Sequence, residues 1–339
     1  MRTSTAPVVA FDARTTSHMS VGMTTYVRKL VEHLPRVAPD LRFAFIGNGD
    51  NFDLAEQVGL PLAIMRARAR LAHIPSPYVP LLIPVPFLLT IHDLIDLHYP
   101  AYGKRKVGPY FRFGVAPVAR RARAIITDDA ATVADLEKYL GVDPACVRVI
   151  ALGVDLPALP PPFAHPRPYV LNVGNHRPHK NLLALVRAWA SLPASRDVDL
   201  FFTGECDVGE AFAGYTRERG AIVFRGACSE HELLALYRGA AAYVHPALRE
   251  GFGLPLLEAM RAGTPVIASR GALPEILAPY GHAFAADDLD TLRSLLLRAL
   301  DDPTAMRADA LAAQAATAEL TWERTARATA DIYRELLAS

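Results

Sequence analysis

Glu250 and Glu258 stand eight positions apart in REGFGLPLLEAMRAGTPV, residues 249–266, with glycines and a proline between them. Carboxylates accept pairs of hydrogen bonds from sugar or ribose hydroxyls. EGFG is a poor helix, Pro255 suits the first helical position, and LPLLEAMRAG predicts a helix ending at Gly263. Glu250 then lies on a loop and Glu258 about one turn inside the helix. The amides near Gly253 and Leu254 would face an anion such as a phosphate, between the two carboxylates. Taken alone, the stretch reads equally well as a Gly-Pro turn bearing two exposed glutamates.

A second stretch, VGNHRPHKNL (173–182), gathers Arg177, His179 and Lys180 within a few residues, with Lys180 and Asn181 opening a helix. Such charge is what a diphosphate leaving group requires. Near the start, SVGMTTYVRKL sets Gly22 where a loop becomes a helix, a place for backbone to approach a phosphate.

Short apolar runs alternating with helical patterns must position these residues. Strands are predicted at 8–12, 43–47, 87–91, 124–127 and 147–152, and again at 169–174, 200–204, 222–226, 241–246 and 265–269. Helical patterns occupy 22–34 and 131–140, and DDLD (287–290) reads as an acidic helix N-terminus. The alternation predicts an α/β fold with parallel strands. Residues 156–168 hold six prolines in thirteen and read as the connector between two domains, 1–160 and 161–320, followed by a helix at 321–339. A cleft between two such sheets is the expected ligand site. Trp322 and Tyr333 read as packing residues, and His176 and His245 as structural.

The composition, 51% hydrophobic and 21% charged with a formal net charge of +1, is that of a globular protein and not of a nucleic-acid binder. Residues 60–125 depart from this balance, with ten bases against Asp93 and Asp96. They are either a solvated face or a surface for anionic headgroups or a pyrophosphate. Cys146, Cys206 and Cys228 form no CxxC pair and fit reduced thiols in the cytoplasm. YVPLLIPVPFLLTI (78–91) is broken by prolines and reads as a loop feeding a buried strand, too short to span a membrane.

Together these motifs resemble the retaining nucleotide-sugar glycosyltransferases of family four, with the two-Rossmann GT-B architecture, along the whole chain. EGFGLPLLE resembles that family's E-x7-E signature, LNVGNHRPHKNL its phosphate-binding strand-loop, TIHDL its histidine-bearing strand end and VIALGVD its N-G-V-D. The resemblance implies that Glu250 binds the donor sugar, Glu258 the ribose, and Lys180 the diphosphate, with Arg177 and backbone at Gly22, Gly253 and Leu254 assisting. It implies that His92 lies beside the sugar. Asp93 orients His92, contacts acceptor or caps the next turn. It further implies that the helix 321–339 returns to the N-terminal domain and that no metal or other cofactor is required. Asp128 and Asp129 stand where the family often has serine, and VGMTT where it often has a second glycine.

The implied reaction moves a sugar, with mannose from GDP-mannose the first choice and a UDP- or dTDP-sugar the second, to a glycan or lipid-linked acceptor with retained configuration. FDAR, GMTTYVRKL and TIHDLIDLHYP resemble the mannosyl- and rhamnosyltransferases of bacterial polysaccharide synthesis. The protein would work in the cytoplasm, at the inner face of the membrane if residues 60–125 meet lipid. Two alternatives stay open: a sugar-nucleotide epimerase or phosphorylase on the same plan, and a non-catalytic nucleotide-sugar-binding subunit. Product analysis separates them. A dehydrogenase is disfavoured because no G-x-G-x-x-G follows the first strand.

Overall fold

Six fully parallel strands form the sheet of the first unit: β1 (Val8–Asp12), β2 (Arg42–Ile46), β3 (Leu71–Ile74), β4 (Phe87–Thr90), β5 (Ala124–Thr127) and β6 (Val147–Val149). Their spatial order is β2-β1-β3-β4-β5-β6, so the order reverses between β1 and β3. The second unit repeats the plan with β7 (Tyr169–Asn172), β8 (Asp199–Phe202), β9 (Ile222–Phe224), β10 (Ala242–His245), β11 (Val266–Ser269) and β12 (His282–Phe284). Its order, β12-β11-β10-β7-β8-β9, is the doubly wound Rossmann arrangement with its reversal between β7 and β10. These elements come from a computed structural model that describes residues 6–15, 19–47, 56–99, 106–156, 158–204 and 208–339. Lys104, Arg105 and Cys206 lie outside the described residues.

The central strands are buried on both faces, which is why they read as continuous apolar runs and not as alternating ones. β3 and β12 were not expected. LAHI carries a histidine within a four-residue buried run, and HAF follows a glycine, so neither gives an apolar stretch long enough to stand out. His73 is tolerated inside β3 because both ring nitrogens are bonded, Nδ1 with the Tyr333 hydroxyl at 2.6 Å and Nε2 with Thr90 Oγ1 at 2.8 Å. Burial and the nearby His92 push its pKa down to about 3, so the ring is neutral.

The division between the units falls at Gly153/Val154, ahead of the expected boundary at residue 160. The proline-rich stretch does not hang free but packs on the second unit. Phe163 N donates to Ala235 O, Arg238 donates to the Pro160 carbonyl, and the Phe163 ring meets Tyr169 and Phe201 edge-on. Prolines offer few donors, so an arginine and an aromatic ring supply the anchorage.

Leu320–Ser339 belongs to the first unit, where the helix Trp322–Ala338 packs along the helix Val21–Val37. Trp322 and Tyr333 are buried, as expected of packing residues. Gly153 lies against the start of this returning segment: a Cβ there would sit 2.0 Å from the Thr321 carbonyl carbon and 2.3 Å from Trp322 N. Backbone cannot yield as a flexible side chain does, so overpacking should cost about 1–3 kcal/mol. Gly153→Ala is therefore expected to lower the melting temperature by roughly 3–10 °C. Gly214→Ala, where nothing lies within 4 Å, should leave it unchanged. Equal melting curves for the two variants would refute the close approach.

Candidate active site

In open α/β sheets ligands bind beyond the carboxyl ends of the strands, where the strand order reverses. In the second unit that point lies between β7 and β10, and the loops leaving these two strands carry Lys180 and Glu250. The β7 loop tightens into a 3-10 turn, Pro178–Lys180, closed by Asn181 at φ 53. Asparagine accepts this left-handed conformation more readily than most residues, and its Nδ2 is tied to Ala286 O at 3.0 Å. The turn is further held by Leu248 N donating to His179 O at 2.8 Å, a bond that joins the β7 loop to the β10 loop.

Lys180 Nζ and Glu250 Oε1 form an ion pair, with only 16% and 11% of their side chains exposed. The same Oε1 meets His245 Nε2 at 2.8 Å, and His245 Nδ1 meets the Tyr243 hydroxyl at 2.6 Å. A carboxylate only accepts, so Nε2 carries the proton and the Tyr243 hydroxyl donates to Nδ1. Burial, with both glutamates nearby, keeps the Tyr243 phenol protonated and its pKa well above the usual value. Burial opposes ionisation of Glu250, yet the Lys180 ammonium and the His245 hydrogen bond outweigh it and hold the carboxyl well below the usual glutamate range. His245 itself is lowered, chiefly by burial and despite Glu250, so it stays neutral. His245 is thus part of the site and not merely structural. His176 keeps a structural place, with Nε2 3.0 Å from Thr203 O and its ring edge against Phe202 and Phe224.

Gly253 precedes the helix Leu254–Arg261 at φ 73, a left-handed conformation that favours glycine, and a Cβ there would also press on Leu256 Cδ1 at 2.7 Å. Pro255 occupies the second helical position, one later than expected, where its missing N–H still costs nothing. Among the described residues no side chain caps this helix, so its first amides and positive dipole end face outward for an anion. Glu258 lies one turn in, its Oε2 accepting from Tyr237 OH at 3.1 Å, and burial raises its pKa. Arg177 is exposed, and its guanidinium pairs with no described residue.

In the first unit, Gly22 is the second residue of the helix Val21–Val37, which Ser20 caps by accepting from Met23 N at 3.2 Å. His92 follows β4, its Nδ1 2.6 Å from Asp128 Oδ2 at the end of β5. The Tyr26 ring meets it edge-on with centroids 4.7 Å apart. Burial disfavours the imidazolium, but the charge and hydrogen bond of Asp128, with Asp93 adding, raise the His92 pKa. Asp93 Oδ1 accepts from Ile95 N at 3.0 Å and so caps the turn that follows. Asp12 and Arg14, in FDAR, form a buried bidentate pair at 2.7 Å.

Residues 28–157 match the family described as Glycosyltransferase Family 4, and residues 160–316 match Glycosyl transferases group 1. The chain belongs to the family 4 glycosyltransferases. It is 31% identical over 230 residues to the MMP alpha-(1->4)-mannosyltransferase of Mycolicibacterium hassiacum, covering 65% of this chain and 56% of that protein. It is 27% identical over 269 residues to the serotype-specific mannosyltransferase WbdA of Escherichia coli, covering 75% of this chain and 33% of that one. The chain thus spans about half the length of the first relative and a third of the second. Anabaena HepE, solved with UDP-glucose, superposes with a TM-score of 0.74 at 15% identity, over 97% of this chain and 99% of that one. At that identity the likeness is one of fold, the two Rossmann-like units of the GT-B glycosyltransferases.

Removing one partner of a buried ion pair costs on the order of 3 kcal/mol. Lys180→Met should lose about that much stability at pH 7. Because the folded-state pKa of Glu250 is lowered, the contribution of the pair is full above the ordinary glutamate value and is lost as the pH falls toward the lowered one. The gap between wild type and variant in denaturant titrations should therefore narrow below about pH 4. A gap of constant size from pH 7 to pH 3 would mean the deficit has another source.

Proposed function

We propose that this protein is a retaining glycosyltransferase that moves mannose from GDP-mannose to a glycan or lipid-linked acceptor in bacterial polysaccharide or glycoconjugate synthesis. The observation that carries the reading is the Lys180–Glu250–His245–Tyr243 chain at the strand-order reversal of the second unit, beside an uncapped helix N-terminus. A nucleoside diphosphate presents the matching chemistry: two phosphates for Lys180 and the amides at Gly253 and Leu254, and ribose hydroxyls for Glu258. Arg177 adds a further donor to the anion. The mannosyltransferase relatives and the nucleotide sugar held by HepE support the same substrate class.

In the reaction, the diphosphate draws Lys180 away from Glu250, whose carboxylate then accepts from sugar hydroxyls while His245 keeps it oriented. The bond from the anomeric carbon to phosphate oxygen breaks as the acceptor oxygen bonds on the same face, and the acceptor proton passes to the departing phosphate. Retention by double displacement would need a carboxylate nucleophile beside the anomeric carbon. Here the carboxylates near His92 are otherwise engaged, Asp128 by His92 and Asp93 by Ile95 N, which favours front-face attack. Protein groups position the substrates and stabilise charge. The chemistry calls for no metal, because Lys180 and the helix dipole meet the leaving charge.

Lys180→Ala and Glu258→Ala should each weaken GDP binding measured by calorimetry, without any acceptor present. Glu250→Ala should keep GDP affinity but lower GDP-mannose turnover by tens of fold, since a hydrogen bond to a charged group is worth about 1.5–3 kcal/mol. Unchanged GDP affinity in both of the first two variants removes the proposed nucleotide site.

Residues 60–125 are proposed to bring the enzyme to a membrane-linked acceptor. Leu82 and Phe113 are 70% and 69% exposed, and Phe113 is adjacent in the chain to the exposed Arg112, with the exposed Lys106 and Arg123 within ten residues of it. No helix among the described residues is long and apolar enough to cross a membrane, so contact would be peripheral. Each base contributes on the order of 1 kcal/mol near an anionic leaflet, less in salt. Neutralising Lys106, Arg112 and Arg123 should reduce sedimentation with phosphatidylglycerol liposomes and leave GDP affinity intact. Wild-type protein that ignores such liposomes at low salt would refute the contact.

A further inference from the structure

β4 and β5 are parallel neighbours with Thr90 opposite Ile126, and Ile91 N donates to Ile126 O at 2.9 Å. His92 and Asp128 each lie two residues beyond that matched pair, so the register alone brings them side by side at the carboxyl edge. Asp128 is 3% exposed, and its Oδ2 lies 2.6 Å from His92 Nδ1. An ionised carboxylate accepts only, which puts a proton on Nδ1. The other ring nitrogen, Nε2, is buried without a hydrogen-bond partner among the described residues, as are Asp128 Oδ1 and Thr127 Oγ1 beside it in the chain.

A purely structural histidine in this protein looks different. His73 has both nitrogens bonded. Buried polar atoms left unpaired are costly and uncommon, and several at the ends of two adjacent strands mark a place that a hydroxyl-rich ligand would complete. The Tyr26 ring packs edge-on against the imidazole, and the Nδ1–Asp128 bond fixes which way it faces.

We infer that Asp128 is the positioning residue for His92: it fixes the proton on Nδ1 and holds the ring so that Nε2 is presented to the donor sugar. This rests on the glycosyltransferase reading given above. Besides Asp128, the titratable groups facing the ring are Asp93, Tyr26 from the helix Val21–Val37 and His73 from β3. Burial keeps His73 neutral and the Tyr26 phenol protonated, which leaves the two carboxylates to favour a charged ring. A cationic ring presents Nε2–H as a donor, either to a sugar hydroxyl or to the oxygen on which charge develops.

Nitrogen NMR of histidine-labelled protein, with the His92 signals assigned from His92→Gln, reads the pairing directly. The wild type is expected to carry a protonated Nδ1 across the titration. Asp128→Asn should lower the His92 pKa by about one unit. In the same variant GDP release from GDP-mannose should fall about tenfold at pH 8, with the alkaline limb of kcat moved down by about one unit. GDP affinity should stay within twofold, and Asp128→Glu should restore part of the rate. An unprotonated Nδ1 in the wild type, or a wild-type pH profile in Asp128→Asn, overturns the inference. Should Asp128→Asn fail to fold, the wild-type spectrum alone decides. If wild-type protein releases no GDP from GDP-mannose, the donor reading fails, while the nitrogen signals still decide whether Asp128 sets the ring.

Discussion

Taking two opposite charges out of water costs several kcal/mol each, and the Lys180–Glu250 pair offsets that only while the two side chains are held together in the right geometry. Much of the second unit serves this condition. The reversal of strand order between β7 and β10 opens the space, the left-handed Asn181 turns Lys180 into it, and Gly253 lets the β10 loop enter its helix without a clash. His245 and Tyr243 complete the hydrogen bonds that a buried carboxylate demands. An ion pair of this kind is a poor device for stability, since a hydrophobic pair of the same volume often does as well. It suits a site where the ammonium can exchange its carboxylate partner for another anion.

The two units use the pairing of histidine with carboxylate in opposite senses. In the second unit the carboxylate takes the proton of Nε2 and a tyrosine occupies Nδ1, so the ring is saturated, neutral and fixed. In the first unit the carboxylate takes the proton of Nδ1 and nothing described takes Nε2. The first arrangement makes a histidine into a strut for a glutamate. The second makes an aspartate into a strut for a histidine. Which nitrogen is bonded decides which partner is presented to a ligand.

Most of the strands and the residues at their ends were legible in the sequence, because long apolar runs and Gly-Pro punctuation survive without knowledge of tertiary structure. Lys180, Glu250, Glu258, Gly253 and Leu254 all fall at the carboxyl edge around β7 and β10, as their positions after apolar runs imply. What escaped depends on the register of neighbouring strands. Asp128 is visible as a partner of His92 only once β4 and β5 are known to be adjacent, and nothing local signals that. His245 was more accessible, since Tyr243 and His245 are two apart on one strand and therefore share a face. The anchorage of the proline-rich stretch on the second unit was not legible, because composition reports stiffness and not anchorage.

The chain crosses between its units twice, after Gly153 and again before Leu320. The second unit is therefore, in covalent terms, an insertion within the first. Residues 154–319 are contiguous in the chain, whereas the first unit is complete only once the segment from Leu320, whose helix covers Tyr26 and Phe43, is available to it. Without that segment the first unit has an apolar flank uncovered, so its completion depends on residues that lie beyond the whole second unit in the chain. A truncation after residue 319 would leave the second unit whole and remove the helix that covers the flank of the first. Gly153, against which the returning segment lies, is a position where a single added carbon would interfere with that docking.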